Sequence, residues 1–322
     1  MIVWILFLAL IIFFLALDLG VFNKEDHIIK SKEAGIWTAV WAAVALSFSA
    51  VIYWLFTEEL IANPTGLTPD SAVLKYITGY LIELSLSIDN VFVIAVIFST
   101  FKIPPIYQHR VLFWGILGAI VFRALMIFFG VALITRFDWI IYVFGVFLLY
   151  TAFKMLKGDD HEFDPKNSFV FRQIKKVYPI TSQLNGHDFF VKRMGLNAAT
   201  PLFVALVVIE LTDILFALDS IPAILAITAD PFIVFTSNIF AILGLRSMYF
   251  LISRMLQKFR FINYSLVVIL AYVGLKMLFS HQIEIPEWLS LTVIAASLLG
   301  GVLASVLIKE KEETEPTNTA EE

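Results

Sequence analysis

Nine long apolar stretches recur along the chain, at 3–22, 36–57, 76–100, 110–134, 138–156, 198–226, 233–256, 262–280 and 287–308. Each is close to the roughly 20 mostly apolar residues that a bilayer-spanning helix needs, so the pattern predicts about nine transmembrane helices. The first stretch reads as a retained span. It lacks a basic leading region and a small-residue cleavage site, and its apolar run is longer than that of a signal peptide. Thr68-Pro69, Thr200-Pro201 and Asp230-Pro231 each place a capping side chain before a proline at the first helical position, which marks helix entries. Two polar pieces interrupt the pattern. Residues 157–197 form a basic loop, and 309–322 are a Glu- and Thr-rich tail without apolar periodicity, expected to be disordered.

A motif recurs within the apolar stretches. Glu83 and Asp89 stand six apart in ELSLSIDNVFVI, and Asp213 and Asp219 stand six apart in DILFALDSIPAI. FRALM at 122–126 is matched by LRSMY at 245–249, and FKML at 153–156 by LKML at 275–278. The offsets are 130, 123 and 122 residues, so order and spacing are kept across three consecutive spans. Three is odd, so the two copies cross the membrane in opposite directions. Such inverted repeats are a transporter signature, with the binding site near the midplane at the repeat interface. The chain divides into two N-terminal transmembrane helices (1–60), a first three-helix repeat (76–156), the basic loop (157–197), a second repeat (198–280), a last helix (287–308) and the tail (309–322). The expected fold class is an all-α polytopic membrane protein.

Composition sharpens this. The chain is 60% hydrophobic and 16% charged, whereas soluble domains carry about 25% charged residues. It has no cysteine, which removes disulfides, thiolate metal sites, iron–sulfur clusters and cysteine nucleophiles together. Gly-rich phosphate loops and nucleic-acid motifs are absent as well. The net charge of −4 says less than its distribution. Nine spans put Lys24, Lys30, Lys32, Lys102, Arg110, Lys154, the 157–197 loop, Arg254, Lys258, Arg260, Lys309 and Lys311 on one face. Only Lys75, Arg136 and Lys276 fall on the other. The positive-inside rule then sets the N-terminus outside and the C-terminus in the cytoplasm.

Six carboxylates lie inside the predicted spans: Asp18, Glu83, Asp89, Glu210, Asp213 and Asp219. Only Arg123 and Arg246 lie comparably deep, and they are expected to form structural ion pairs with some of these acids. A central charge costs about 2.5–3.5 kcal/mol even on the lenient insertion scale. The surplus acids must therefore be neutralised by bound cations, by protons or by water in a cavity. Asp18, near the cytosolic end of its span, reads more readily as a neutral hydrogen-bonding group or an arginine partner.

Glu83, Ser87 and Asn90 share one helix face at i, i+4 and i+7, and in the second copy that face carries Asp213 and Ser220, with Glu210 one turn away. The second acid of each pair lies about 120° off the face in an ideal helix. Either it addresses a different neighbour or the helix breaks there, and Pro222, which denies the Leu218 carbonyl its helical partner, favours a break. The donors are all oxygens, from Glu83, Asp89, Asn90, Glu210, Asp213, Asp219, Ser220 and a candidate Asn238, a set that suits Mg, Ca or Mn. The five histidines sit in loops or at span ends, which argues against zinc or copper in the membrane.

The strings GYLIELSLSIDNVFV, FDWIIYVFGVFLLYTAFKM, ATPLFV and IELTDILFALDSIPAI with DPFIVFTSNIFAILGLRSMYFL resemble the TerC/Alx family of bacterial integral membrane proteins from about residue 36 to 300. That family is associated with tellurium resistance by name, its Alx-like branch with manganese export, and it is grouped with LysE-like exporters built from inverted three-helix repeats. The resemblance implies manganese efflux across the bacterial inner membrane, with Glu83, Asp89, Asn90, Asp213, Asp219 and Ser220 as the matching motif positions. Residue chemistry alone reaches only a transporter of hard divalent cations. The further expectations are exchange for protons, with the surplus carboxylates as candidate carriers, no enzymatic activity and no permanently bound cofactor. Its partners are the metal ion and the lipid bilayer. Other readings are a membrane scaffold that binds soluble stress-resistance proteins at the 157–197 loop, and a LysE-type exporter of a small solute. An intramembrane aspartyl protease lacks its Gly-x-Gly-Asp context, since Asp219 follows Ala217-Leu218.

Overall fold

The computed structural model describes residues 2–20, 31–137, 139–157, 179–181, 184, 186–193, 196–253, 261–279, 282 and 285–307. Among the described residues each apolar stretch becomes a helix: α1 (Ile2–Gly20), α2 (Ser31–Thr57), α3 (Pro69–Thr100), α4 (Pro105–Arg136), α5 (Ile140–Leu156), α6 (Pro201–Leu225), α7 (Pro231–Ile252), α8 (Ile262–Leu278) and α9 (Glu287–Leu307). Of these α2, α3, α4, α6, α7 and α9 are long and apolar enough to cross a membrane, while α1, α5 and α8 are shorter apolar helices. Most of the basic loop and the tail expected at 309–322 lie outside the described residues.

Entry chemistry fixes the helix starts. Thr68 accepts a hydrogen bond from the Ser71 amide, and Pro69 opens α3 seven residues ahead of its apolar run. Asp230 caps α7 by accepting from the Phe232 and Ile233 amides. Thr200 departs from the expectation. Its hydroxyl makes no cap and donates instead to the Asp188 and Phe189 carbonyls. It thereby ties down a short antiparallel ribbon, β1 (Phe190–Arg193) with β2 (Leu196–Ala199), which the all-α pattern does not contain.

The helix α7 sits at the centre, its apolar stretch wholly inside the protein, wrapped by α2, α3 and α4. Large apolar side chains elsewhere face outward, among them Phe128, Phe129, Leu215 and Leu303. In water such a surface would be a liability, but in lipid it is the expected exterior. The two three-helix segments interlock. α3 packs on α7 and α4 on α6, α5 packs on α8, α3 on α6, and α4 on α7. The α5–α8 contact is close because both helices present glycine: a Cβ on Gly145 would stand 3.0 Å from the Gly274 carbonyl oxygen, and one on Gly274 3.0 Å from that of Gly145.

Candidate functional site

Arg123, five turns into α4, is 1% exposed and is the largest fully buried side chain of the described residues. A guanidinium is always charged, so its burial requires acceptors. They come from three other helices. Glu83 of α3 receives Nη1 through Oε1, and Asp213 of α6 receives Nη2 at 2.9 Å and Nε at 3.2 Å. Asn238 of α7 accepts Nη1 at 3.2 Å and donates its own amide to Glu83 Oε2 at 2.9 Å. Ser220 stands at the edge of this set, 3.4 Å from Nη1.

The helix face read from the sequence is the one that turns inward. Glu83, Ser87 and Asn90 are buried together on α3, with the Ser87 hydroxyl 3.4 Å from Glu83 Oε1 and the Asn90 amide 3.3 Å from Asp213 Oδ1. The Asn90 carbonyl oxygen is buried without a hydrogen-bond partner. Asn90 and Asp213 also line a cavity of about 20 Å³ with Thr212, Phe216 and Arg246, space for one water-sized occupant.

Of the sequence-selected positions, Glu83, Asp213, Ser220 and the candidate Asn238 meet Arg123 directly, and Asn90 joins them through Asp213. The others do not. Glu210 lies one turn before Asp213 and packs on Gly118 of α4. Asp219 turns away to α5, accepting a hydrogen bond from Thr151 at 3.0 Å. The side chain of Asp89 lies outside the described residues, as does that of Asp18. Among the described residues no three His, Asp or Glu side chains gather as a metal cluster. The ion-pair role expected of Arg123 is present. Arg246 is 6% exposed and stands 2.8 Å from His109 Nε2, a partner that the sequence did not suggest.

The expected break at Pro222 is absent. α6 runs through Pro222 to Leu225, and the Ala226 amide still reaches the Pro222 carbonyl. Pro222 lies one turn from the helix end, where the lost hydrogen bond is a single one and the chain is about to leave the helix anyway. The off-face direction of Asp219 is explained by its neighbour on α5, not by a broken backbone. Asn238, only a peripheral candidate in the sequence, proves central. Its signal was an amide in the middle of an otherwise apolar span.

The chain matches the Integral membrane protein TerC family over residues 68–313. It is 49% identical over 318 residues to an uncharacterized membrane protein of Myxococcus xanthus, covering 99% of this chain and 95% of that one. A Photorhabdus laumondii protein, whose name describes a membrane-bound redox modulator Alx, is 44% identical over 318 residues, covering 97% of each chain. An uncharacterized membrane protein of Rickettsia bellii is 43% identical over 306 residues, covering 95% of this chain and 97% of that one. No solved structure matches. The helices, the buried acidic motifs and these likenesses agree, and the chain belongs to the TerC family of integral membrane proteins.

Proposed function

We propose that this protein is a secondary transporter that exports Mn²⁺ from the cytoplasm in exchange for protons, with its N-terminus outside and its C-terminus inside the bacterial inner membrane. The observation that carries the reading is the convergence of Glu83 and Asp213, one from each sequence repeat, on the single guanidinium of Arg123. Two carboxylates against one fixed cation leave the trio with a net negative charge. A hard dication competes for those same oxygens, and the unpartnered Asn90 carbonyl beside the Asp213 cavity offers a further oxygen ligand.

Helix packing supports an inverted repeat. Exchanging α3, α4, α5 with α6, α7, α8 carries the α3–α7 contact into α6–α4 and the α5–α6 contact into α8–α3. The α5–α8, α3–α6 and α4–α7 contacts each map onto themselves. A binding site between two such halves can open to one side and then the other. The redox role in the names of some relatives is not thiol chemistry of this chain, which has no cysteine.

Charge sets the stoichiometry. Moving a dication out against about 150 mV costs roughly 7 kcal/mol, at about 2.3 kcal/mol per charge per 100 mV, and two entering protons cancel that electrical cost. Purified protein in vesicles carrying a pH dye tests this. The expected result is proton movement on adding Mn²⁺, unaffected by a potassium–valinomycin potential. Manganese uptake driven by that potential with no pH change would overturn the exchange mechanism, and no uptake at all would overturn manganese transport.

A further inference from the structure

Two of the described deep acids lie outside the Arg123 network: Asp219, which Thr151 holds, and Glu210. Glu210 is the tenth residue of α6, about 14 Å along the helix from Pro201. Among the described residues it makes no hydrogen bond and no ion pair, and its Oε2 is buried without a partner. Its carboxyl rests on Gly118 of α4, where a Cβ would overlap it. The absence of a side chain at Gly118 is what makes room for the acid in the seam between the two helices. The seam runs along the outer surface: Trp114, Val121 and Leu125 of α4 and Leu211 and Leu215 of α6 are exposed beside it.

The charged neighbours are accounted for. Asp213, one turn along the same helix, is engaged by Arg123 and offers Glu210 no donor. On α4, Arg123 is engaged by Glu83 of α3 and by Asp213, Arg110 lies over the Phe189 ring about two turns before Gly118, and Arg136 ends the helix about five turns beyond it. On α5, Thr151 and Lys154 serve Asp219, nine residues further along α6. Lys276 of α8 is hydrogen-bonded to Ser290 of α9, and Arg246 of α7 meets His109. An ionised carboxylate at the hydrocarbon rim with no cation and no donor is among the costliest groups a membrane protein can hold, whereas the neutral acid is tolerated.

We propose that Glu210 is a proton-binding site in the α4–α6 seam, held as the neutral carboxylic acid and distinct from the acids that face Arg123. It releases that proton only when water or a cation takes over the carboxylate charge. Its use as a carrier of the exchanged proton rests on the transporter reading above, but its protonation does not.

The test uses the full-length protein in lipid. Infrared spectra are recorded from mildly acidic to alkaline pH, in parallel with treatment by dicyclohexylcarbodiimide, which adds only to a protonated carboxyl. The acid proton moves to a carbodiimide nitrogen, the carboxyl oxygen bonds the central carbon, and an acyl shift then gives a stable N-acylurea with nothing lost. The expected result at neutral pH is a carboxylic-acid carbonyl band that disappears in Glu210→Gln, together with a carbodiimide adduct on the peptide containing Glu210. Because Gln mimics the neutral acid, E210Q should insert and fold like the wild type while losing proton exchange. A spectrum unchanged by E210Q, or with no acid band at neutral pH, overturns the proposal. Either outcome is read without manganese, so failure of the transport reading is separable from failure of this one.

Discussion

Arg123 and Asp213 are joined side-on, with Nη2 to Oδ1 at 2.9 Å and Nε to Oδ2 at 3.2 Å, so that α4 and α6 are clamped by a planar two-point contact. The fork geometry is specific to arginine. Breaking a buried pair by removing one partner costs about 3–5 kcal/mol, because it strands the other charge. Arg123→Ala, and Arg123→Lys to a lesser degree, should lower the amount of folded protein and its melting temperature in detergent. Arg123→Ala protein that melts with the wild type would show that the network is dispensable for the fold.

Asp219 lies off that network and tests transport without the same structural penalty. Asp219→Asn keeps an oxygen for the Thr151 hydroxyl but loses the charge. Asp219→Asn and Asp89→Asn should each abolish manganese efflux from cells while the protein remains inserted in the membrane at normal level. Wild-type efflux by both variants would remove these residues from the transport path.

The facing glycines of α5 and α8 make a sharp packing test. A side chain at Gly274 meets the Gly145 carbonyl oxygen and Leu149, with contacts of 3.0 Å already at the first carbon. Overpacking of this kind costs about 1–3 kcal/mol. Gly274→Val should destabilise the folded protein by that order in a denaturation assay, whereas a valine at the exposed Gly300, which has nothing within 4 Å, should be nearly silent. Equal effects at the two sites would mean that the α5–α8 contact is not tight.

Asp230 gives a pH-dependent expectation. Burial pushes its carboxyl above the usual aspartate range, against the pull of the Ile233 and Phe232 amides and of Lys75. A carboxyl raised in the folded state binds its proton more tightly there than when unfolded, so its contribution to stability is full at low pH and is lost as pH rises through the folded value. Asp230→Asn retains the capping oxygen without the titration. The wild type should therefore lose stability relative to Asp230→Asn on going from acidic to neutral pH, as measured by thermal unfolding. Parallel pH profiles would contradict this.

Orientation is open to a direct reporter test. A reporter fused at the C-terminus should be active only in the cytoplasm, and one placed after Glu59 only outside. Both on the same side would overturn the nine-span arrangement and the inverted repeat with it.

The sequence by itself determined where the helices lie, because a run of apolar residues long enough for a bilayer is a local property and the Thr-Pro and Asp-Pro entries act within one turn. It also singled out Glu83, Asn90, Asp213 and Ser220, since charge and polarity inside a span are costly enough to mark a site wherever they occur. The tertiary structure decided how those groups pair. The sequence could not assign Arg123 its two carboxylates, since they come from helices 40 residues before and 90 residues after it in the chain. Nor could it separate Glu210 on Gly118, or Asp219 on Thr151, from the rest of the acids. Those distinctions depend on which helix faces which, and that is set by side-chain shape across contacts distant in sequence, such as the glycine pair of α5 and α8, rather than by any pattern within one segment.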